Sequence, residues 1–184
     1  MESTNEAFAL AKITAYKLSE YYRSQYGCDF ITVVPANLFG PNDHFDVNRG
    51  HVIPSLMRRF YEANLNKILE VDLWGSGRPE REFLYVDDAA DGLVFLLKNF
   101  SDKGLINLSG GTTVTINKVA ALIASITGYS GNLNWDTEKP DGMMKKTLSN
   151  KKLSQLGWQP QTDLIRGLEL TYQYFYEHVV AEPK

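Results

Sequence analysis

Apolar residues recur at helical intervals near the start of the chain, at Phe8, Leu10, Ala11, Ile13, Leu18, Tyr21 and Tyr22. Ser3 and Glu6 stand at capping-box spacing before them, and Gly27 falls where a left-handed C-cap is wanted, so the pattern predicts a helix over about residues 4–26. "CDFITVV" (28–34) then gives a β-branched run without polar alternation, predicting a strand covered on both faces as in a parallel sheet. "ANLFGPNDHFDVNRG" reads as a long polar loop, and "HVIPSLMRRFYEANLNK" (51–67) as a helix with Pro54 in its first turn.

Strand and helix patterns alternate from there on. "ILEVDLWG" (68–75) and "EFLYV" (82–86) are strands, and Asp87 or Asp88 is expected to cap the helix "AADGLVFLLKNF". "GLINLSGG" (104–111) is a strand and glycine turn. "TTVTINKVAALIASITG" passes from strand to a helix capped near Thr115 or Asn117 and closed by Gly128. "GNLNWD" is a strand, "KTLSNKKLSQLGW" holds a short helix, and "LIRGLELTYQYFYEHVV" is a terminal amphipathic helix. The alternation assigns the α/β class.

With 184 residues, 43% of them apolar and 22% charged, the chain is long enough for one domain, or for one domain and a small lobe. A net charge of −3 without long basic runs lacks the footprint of a nucleic-acid binder. Cys28 is the only cysteine, which rules out an internal disulfide and a zinc cluster built on cysteines, and no metal partner is expected. It reads as a small buried side chain at a strand start. The acidic amino terminus does not have the pattern of a signal peptide, and no window resembles a membrane span, so a cytoplasmic setting is expected. No GxGxxG and no P-loop occurs in these residues, and "GSG" (75–77) sits between two strands as a turn.

Chemistry-bearing positions are sparse. In "NEAFALAK", Phe8 and Lys12 share one helix face four residues apart. A tyrosine there would be an acid primed by the lysine; phenylalanine has no proton to give. His51 precedes a helix, where a structural role and a proton-transfer role are both open.

Several stretches together resemble the carboxy-terminal part of the extended short-chain dehydrogenase/reductases, the NAD-dependent epimerase/dehydratase family. They are "FALAK", "VVPANLFGPND", "HVIPSLMRRF", "WGSGRPEREFLYVDDAADG", "INLSGG" and "KPDGMMKK" before "LGW". Of its branches, the GDP-L-fucose synthases are most similar. The resemblance implies a Rossmann-type fold with a substrate-binding lobe, whose glycine-rich cofactor half would precede the residues seen here and is absent. It divides the chain into a residual Rossmann portion over 1–50 and a GDP-sugar lobe, with some Rossmann-associated segments, over 51–184.

The same resemblance assigns roles. Phe8 stands at the family's catalytic tyrosine, Lys12 at its lysine and nicotinamide-ribose ligand, and His51 at an epimerisation acid that also borders the cofactor. Asn37 and Leu38 match positions near the nicotinamide of NADP. Arg59 matches a diphosphate-contacting arginine, Trp74 and Arg81 the substrate pocket, and Asp141 and Lys146 the guanosine end. Taken singly, each has a structural alternative: Phe8 as core filler, Lys12 as a solvated lysine, Arg59 as a solvated helix residue, Trp74 as core packing, Arg81 as an ion-pair partner of Asp87 or Asp88. The expected function is a GDP-sugar-binding part of an NADPH-dependent epimerase–reductase, inactive alone. Two alternatives stand beside it: an enzyme active only when the other half is supplied, and a non-catalytic binding or assembly protein. The apolar first helix should pack one face on the strand at 28–34 and leave another open, favouring a homodimer.

Overall fold

The computed structural model describes residues 6–181. In chain order the elements are α1 (Glu6–Tyr26), β1 (Thr32–Pro35), β2 (Asn37–Phe39), α2 (Val52–Leu65), β3 (Glu70–Trp74), β4 (Glu80–Tyr85) and α3 (Val86–Asn99). They continue with β5 (Leu105–Leu108), β6 (Thr113–Thr115), α4 (Ile116–Thr127), β7 (Asn132–Asp136), β8 (Lys145–Lys146), α5 (Lys151–Gln155) and α6 (Leu164–Phe175), and a π-helical turn over Tyr176–Val180 closes the series. Strands and helices alternate as the pattern predicted.

Parallel pairing dominates, with β1 beside β5, β2 beside β4 and β3 beside β7. β4 is the junction: it also takes β6 antiparallel and β8 parallel, with Arg81 in register with Val114 on one side and Lys146 on the other. Parallel partners need long crossovers, and the helices supply them.

Two cores follow from the helix stripes. In α2, Ile53, Leu56, Met57, Phe60 and Ala63 recur at helical spacing and are all buried. They meet Val119, Ala120 and Ile123 of α4, Leu168 and Phe175 of α6, and Val71 and Leu73 of β3. The Phe60 ring stacks on Tyr129 at 5.5 Å and 4°. The second core joins Leu84 of β4, Ala89 and Leu96 of α3, Ile106 and Leu108 of β5, Leu153 of α5 and Trp158. Pro54 is the third residue of α2, where its missing N–H has no intrahelical partner to lose. Thr115 caps α4, its hydroxyl accepting from the Lys118 N–H at 3.2 Å, and Gly128 ends that helix at φ +73°.

Several expectations are corrected. Ser3 and residues 4–5 lie outside the described residues; from Glu6 the first helix runs as expected to Tyr26, and Gly27 closes it at φ +68°. α1 buries none of its residues, and its packing on the segment at 28–34 is confined to the helix end, where the Tyr22 and Phe30 rings lie 5.9 Å apart and Arg23 ties to Asp29, Phe30 and Ser101. β1 is shorter than predicted, and it is half-buried rather than covered on both faces. Cys28 lies ahead of that strand and is only partly buried. The supposed polar loop after Pro35 contains β2 and sends Phe39 and Phe45 into the first core, because its aromatics outweigh its polar neighbours. Neither Asp87 nor Asp88 caps α3: the cap position is Tyr85, and both acids lie in the first turn. The buried Asp88 carboxylate accepts the Gln161 and Thr162 N–H groups at 3.2 and 2.9 Å, tying a distant loop to the helix.

Candidate functional site

The ends of β2, β3 and β4 and the start of α2 surround two adjoining cavities that share Val52. The smaller, about 170 Å³, is lined by Asn37, Leu38, Phe39, His51, Ile53, Pro54, Arg81 and Phe83. The larger, about 390 Å³, is lined by Val47, Asn48, Gly50, Ser55, Leu56, Arg59, Leu73, Trp74, Ile116 and Trp135. The fold therefore gathers six of the sequence-derived residues at one cleft: Asn37, Leu38, His51 and Arg81 at one end, Arg59 and Trp74 at the other.

Local physics seats each of them. Alternation along β3 buries Val71 and Leu73 and turns Trp74 outward, 74% exposed, so the indole is not core filler. Arg59 sits one position before the buried Phe60 on α2, and its guanidinium donates to the Asp72 carbonyl at 2.7 Å, which fixes the long side chain. Arg81 donates to the Glu80 carbonyl at 2.8 Å and makes no ion pair with Asp87 or Asp88, leaving the rest of its fork for a ligand. The Asn37 amide donates to the Glu82 carbonyl at 2.7 Å across the β2–β4 pair. His51 occupies the N-cap position of α2 without a side-chain capping bond; its ring is 88% exposed and lies 3.8 Å from Asp43. That leaves its nitrogens available for proton transfer.

The loop over 43–50 forms one rim. Asp46 accepts the N–H groups of Asn48 and Arg49 at 2.9 and 2.7 Å, and these bonds hold its carboxyl below the usual carboxylate range. The Ser55 hydroxyl pins the Val47 carbonyl at 2.8 Å. A Cβ on Gly50 would meet the Asp46 and His44 carbonyls at 2.5 and 2.6 Å, so only glycine allows the loop to close this tightly. Gly77 plays the same part opposite, at φ +69°, where the Trp135 ring fills the space of its missing Cβ.

Asp141 and Lys146 sit on a strap outside the cavity linings. Both oxygens of Asp141 are engaged by Ser76, the N–H at 2.6 Å and the hydroxyl at 2.7 Å, and the carboxyl lies below its usual range, chiefly through that N–H. Lys146 is exposed on β8, in register with Arg81. Phe8 and Lys12 are not brought to the cleft linings. Phe8 is 60% exposed, so it is not core filler either, and the Lys12 ammonium lies 5.2 Å from its ring centroid. The residues that sequence reasoning missed are Asn48, Ser55 and Trp135 in the cavity wall and Lys139, whose ammonium lies 6.0 Å from the centre of the Trp74 ring. Alternation in "GNLNWD" could have placed Trp135 on the same covered face as Leu133; nothing local marks Asn48 or Ser55.

Among the described residues no cluster of His, Cys, Asp and Glu could hold a metal ion. None of the described helices is long and apolar enough to cross a membrane.

Parallel strand pairs with crossover helices, and a cleft between β2, β3, β4 and the start of α2 that holds arginines, an open indole and a histidine, define a ligand-binding type of α/β fold. Comparison with known proteins gives the same class. The profile of the NAD-dependent epimerase/dehydratase family matches residues 1–109, and the chain belongs to that family. Within it, the chain is 46% identical to GDP-L-fucose synthase 1 of Arabidopsis thaliana, over 97% of this chain and 55% of that protein. It is 43% identical to GDP-L-fucose synthase of Escherichia coli (strain K12), over 97% of this chain and 58% of the relative. The crystal structure of a GDP-L-fucose synthetase from Naegleria fowleri superposes with a TM-score of 0.89 at 37% identity, covering 95% of this chain and 56% of that one. A further structure of that protein, bound to NADP, matches with a TM-score of 0.88. The chain thus spans somewhat more than half the length of these relatives.

Proposed function

We propose that this chain carries the GDP-sugar side of a GDP-L-fucose-synthase-type reaction, the NADPH-dependent 3,5-epimerisation and 4-reduction of GDP-4-keto-6-deoxy-mannose. The observation that carries the reading is the pair of adjoining cavities sharing Val52. A GDP-sugar lies along them with its diphosphate at Arg59, its nucleoside end beside Trp74 and its sugar between Arg81 and His51. Guanidinium groups match the charge and geometry of phosphate oxygens, and an open indole offers a stacking face to a base. His51, its ring open to the cleft at the start of α2, is the proton donor at the sugar end. The structural division that goes with this reading places the Rossmann portion in residues 1–50 and the GDP-sugar lobe mainly in 51–184.

For NADP the fit is partial. Asn37, Leu38 and His51 border one cavity and suit the nicotinamide end, while Lys12 lies on the exposed α1 and lines neither cavity. These residues include no glycine-rich loop for the cofactor's diphosphate. Phe8 has no hydroxyl to protonate the sugar carbonyl. The 184-residue chain alone therefore binds GDP-sugar without reducing it. A second reading, assembly, is favoured by one observation: α1 exposes Phe8, Leu10, Ile13, Leu18, Tyr21 and Tyr22 and buries nothing. That face makes the chain self-associate, and the setting is cytoplasmic.

Calorimetric titration with GDP tests the reading. Affinity is expected to be on the order of 0.1–1 mM, because the cleft is open and little of the ligand is buried. UDP should bind more weakly, and Arg59→Ala should weaken GDP by about 10-fold or more. Equal binding of GDP and UDP, or an unchanged Arg59→Ala variant, would overturn it.

A further inference from the structure

The two edges of β4 are not equally used. β8 and β2 pair along one of them, whereas β6 pairs the other only over Glu80–Glu82. Past Glu82 an open trough of about 640 Å³ lies between β4 and the first turns of α4 and α6. It shares only Phe83 with the two cleft cavities. Its floor is apolar: Phe83, Val114, Leu122 and Leu164 pack on the first core yet stay only partly buried, and Ile165 is exposed. One wall is fixed, because the Asp88 carboxylate holds the Gln161 and Thr162 N–H groups. Lys118 is the one cation in the lining and Asp163 the one acid. Lys118 also lines a neighbouring cavity of about 350 Å³, together with Arg78, Thr115 and Asn117. The Ile116 and Asn117 N–H groups donate to the Pro79 and Gly77 carbonyls at 3.0 and 2.8 Å, which ties the turn carrying Arg78 to the helix start carrying Lys118. Among the described residues neither cation enters an ion pair; the Arg78 Nε donates to the Ser76 hydroxyl at 3.1 Å.

We propose that this trough is a second ligand site, built for a small amphiphilic anion: an apolar body lies over Phe83, Val114, Leu122 and Leu164, and an anionic head such as a phosphate rests between Lys118 and Arg78. The site does not depend on the GDP-sugar reading. Its volume, and its mix of an apolar lining with a few polar groups, are those of small-molecule sites. An alkyl or aromatic body laid there removes apolar surface from water on both partners. Charge sets the direction. Two cations without a counter-ion border one cavity, whereas Asp163, which caps α6 by accepting the Arg166 N–H at 2.8 Å, repels an anion from its own end of the trough. The first N–H groups of α4 are already taken by Pro79, Gly77 and Thr115, so side chains, not the helix terminus, hold the head. A neutral apolar ligand would leave both cations without a partner, and a bare phosphate would leave the apolar floor in water.

The test titrates octyl phosphate, below the concentration at which it forms micelles, into the 184-residue chain and follows the backbone amide resonances. Shifts at Thr113, Lys118 and Ile165 are expected, with a Kd on the order of 0.1–1 mM because the trough is open. Octyl glucoside has the tail without the charge and inorganic phosphate the charge without the tail; each should bind at least about 3-fold more weakly. Arg78→Ala and Lys118→Ala should each weaken octyl phosphate about 2- to 5-fold, and Ile165→Asp about 3-fold or more. All three positions are exposed, so the variants keep the fold, and amide resonances unchanged elsewhere in the spectrum verify it. Vesicles of phosphatidylcholine with phosphatidic acid separate a free amphiphile from a membrane lipid, and the chain should stay in the supernatant. Octyl glucoside binding as tightly as octyl phosphate, charge variants that bind like the unmodified chain, or shifts centred on Trp74 and Trp135 would each overturn the proposal. So would an absence of shifts with octyl phosphate, or pelleting of the chain with the vesicles. GDP binding is scored separately, and its failure bears on the cleft alone.

Discussion

Replacing Gly77 by alanine should damage the fold and the cleft together. The residue sits at φ +69°, and a Cβ there would lie 2.8–2.9 Å from three atoms of the Trp135 ring. Left-handed backbone costs an L-residue about 1–2 kcal/mol, and forcing a methyl into a packed aromatic adds about 1–3 kcal/mol. Trp135 packs partly buried against the first core and cannot swing aside as a surface lysine would. Gly128 supplies the control. It closes α4 at φ +73°, and its added Cβ would meet only the Asn64 amide at 3.5 Å, an ordinary contact. Gly128→Ala should therefore show the backbone cost alone. For a chain of this length 1 kcal/mol moves the melting point by about 2–4 °C, so Gly77→Ala should melt about 4–20 °C below the unmodified protein and Gly128→Ala only about 2–8 °C below it. Thermal unfolding followed by circular dichroism gives both numbers. A GDP titration should show weaker binding in Gly77→Ala alone, because Trp135 walls the larger cavity. Two variants that melt together and bind GDP alike would refute the steric account of the turn.

Asp88→Ala should cost about 1–3 kcal/mol in urea unfolding, because it strips the Gln161 and Thr162 N–H groups of their shared buried acceptor; a loss below about 0.5 kcal/mol would show that water replaces the carboxylate. The Asp46 and Asp141 carboxyls are held below their ordinary range by N–H donors, so the structure they lend is complete above the ordinary aspartate value and is lost as the pH falls through their lower folded values. Hydrogen exchange at Asn48, Arg49 and Ser76 should accordingly stay protected at pH 5 and rise only below about pH 4; loss of protection nearer neutrality would contradict the bonding described. Incubated with NADPH and GDP-4-keto-6-deoxy-mannose, the 184-residue chain should leave the NADPH absorbance at the level of an enzyme-free control, and Phe8→Tyr should not change that. Light scattering across a concentration series should give a mass above 20.8 kDa, with Tyr22→Lys lowering it; a constant monomer mass would mean that α1 covers its apolar face by itself.

The helices, and the caps of α4, were legible without coordinates because the information is local, whereas the cap expected of Asp87 or Asp88 was not where the structure puts it. The stripe Ile53, Leu56, Met57, Phe60 predicted α2 and its buried face, and Thr115 with Gly128 bracketed α4. The α/β class followed from alternation, and the resemblance of "WGSGRPEREFLYVDD" and "KPDGMMKK" to one enzyme family pointed to Arg59, Trp74, Arg81 and Asp141 before any geometry was known. Tertiary structure alone decided what those residues touch. Alternation within each strand sets the faces of Trp74 and Trp135, but pattern could not tell that Trp135 comes beside Leu73 and walls the cavity next to Trp74, because that depends on the β3–β7 register between strands some sixty residues apart. Nor could it show that Asp88 would leave its helix to serve a loop at 161–162, or that Asp141 would accept both donors of Ser76, since hydrogen-bond partners distant in sequence leave no periodic trace. The first helix marks the boundary between the two kinds of knowledge. Its apolar spacing was plain, but an apolar stripe says only that a partner is wanted, and among the described residues the fold leaves that stripe uncovered.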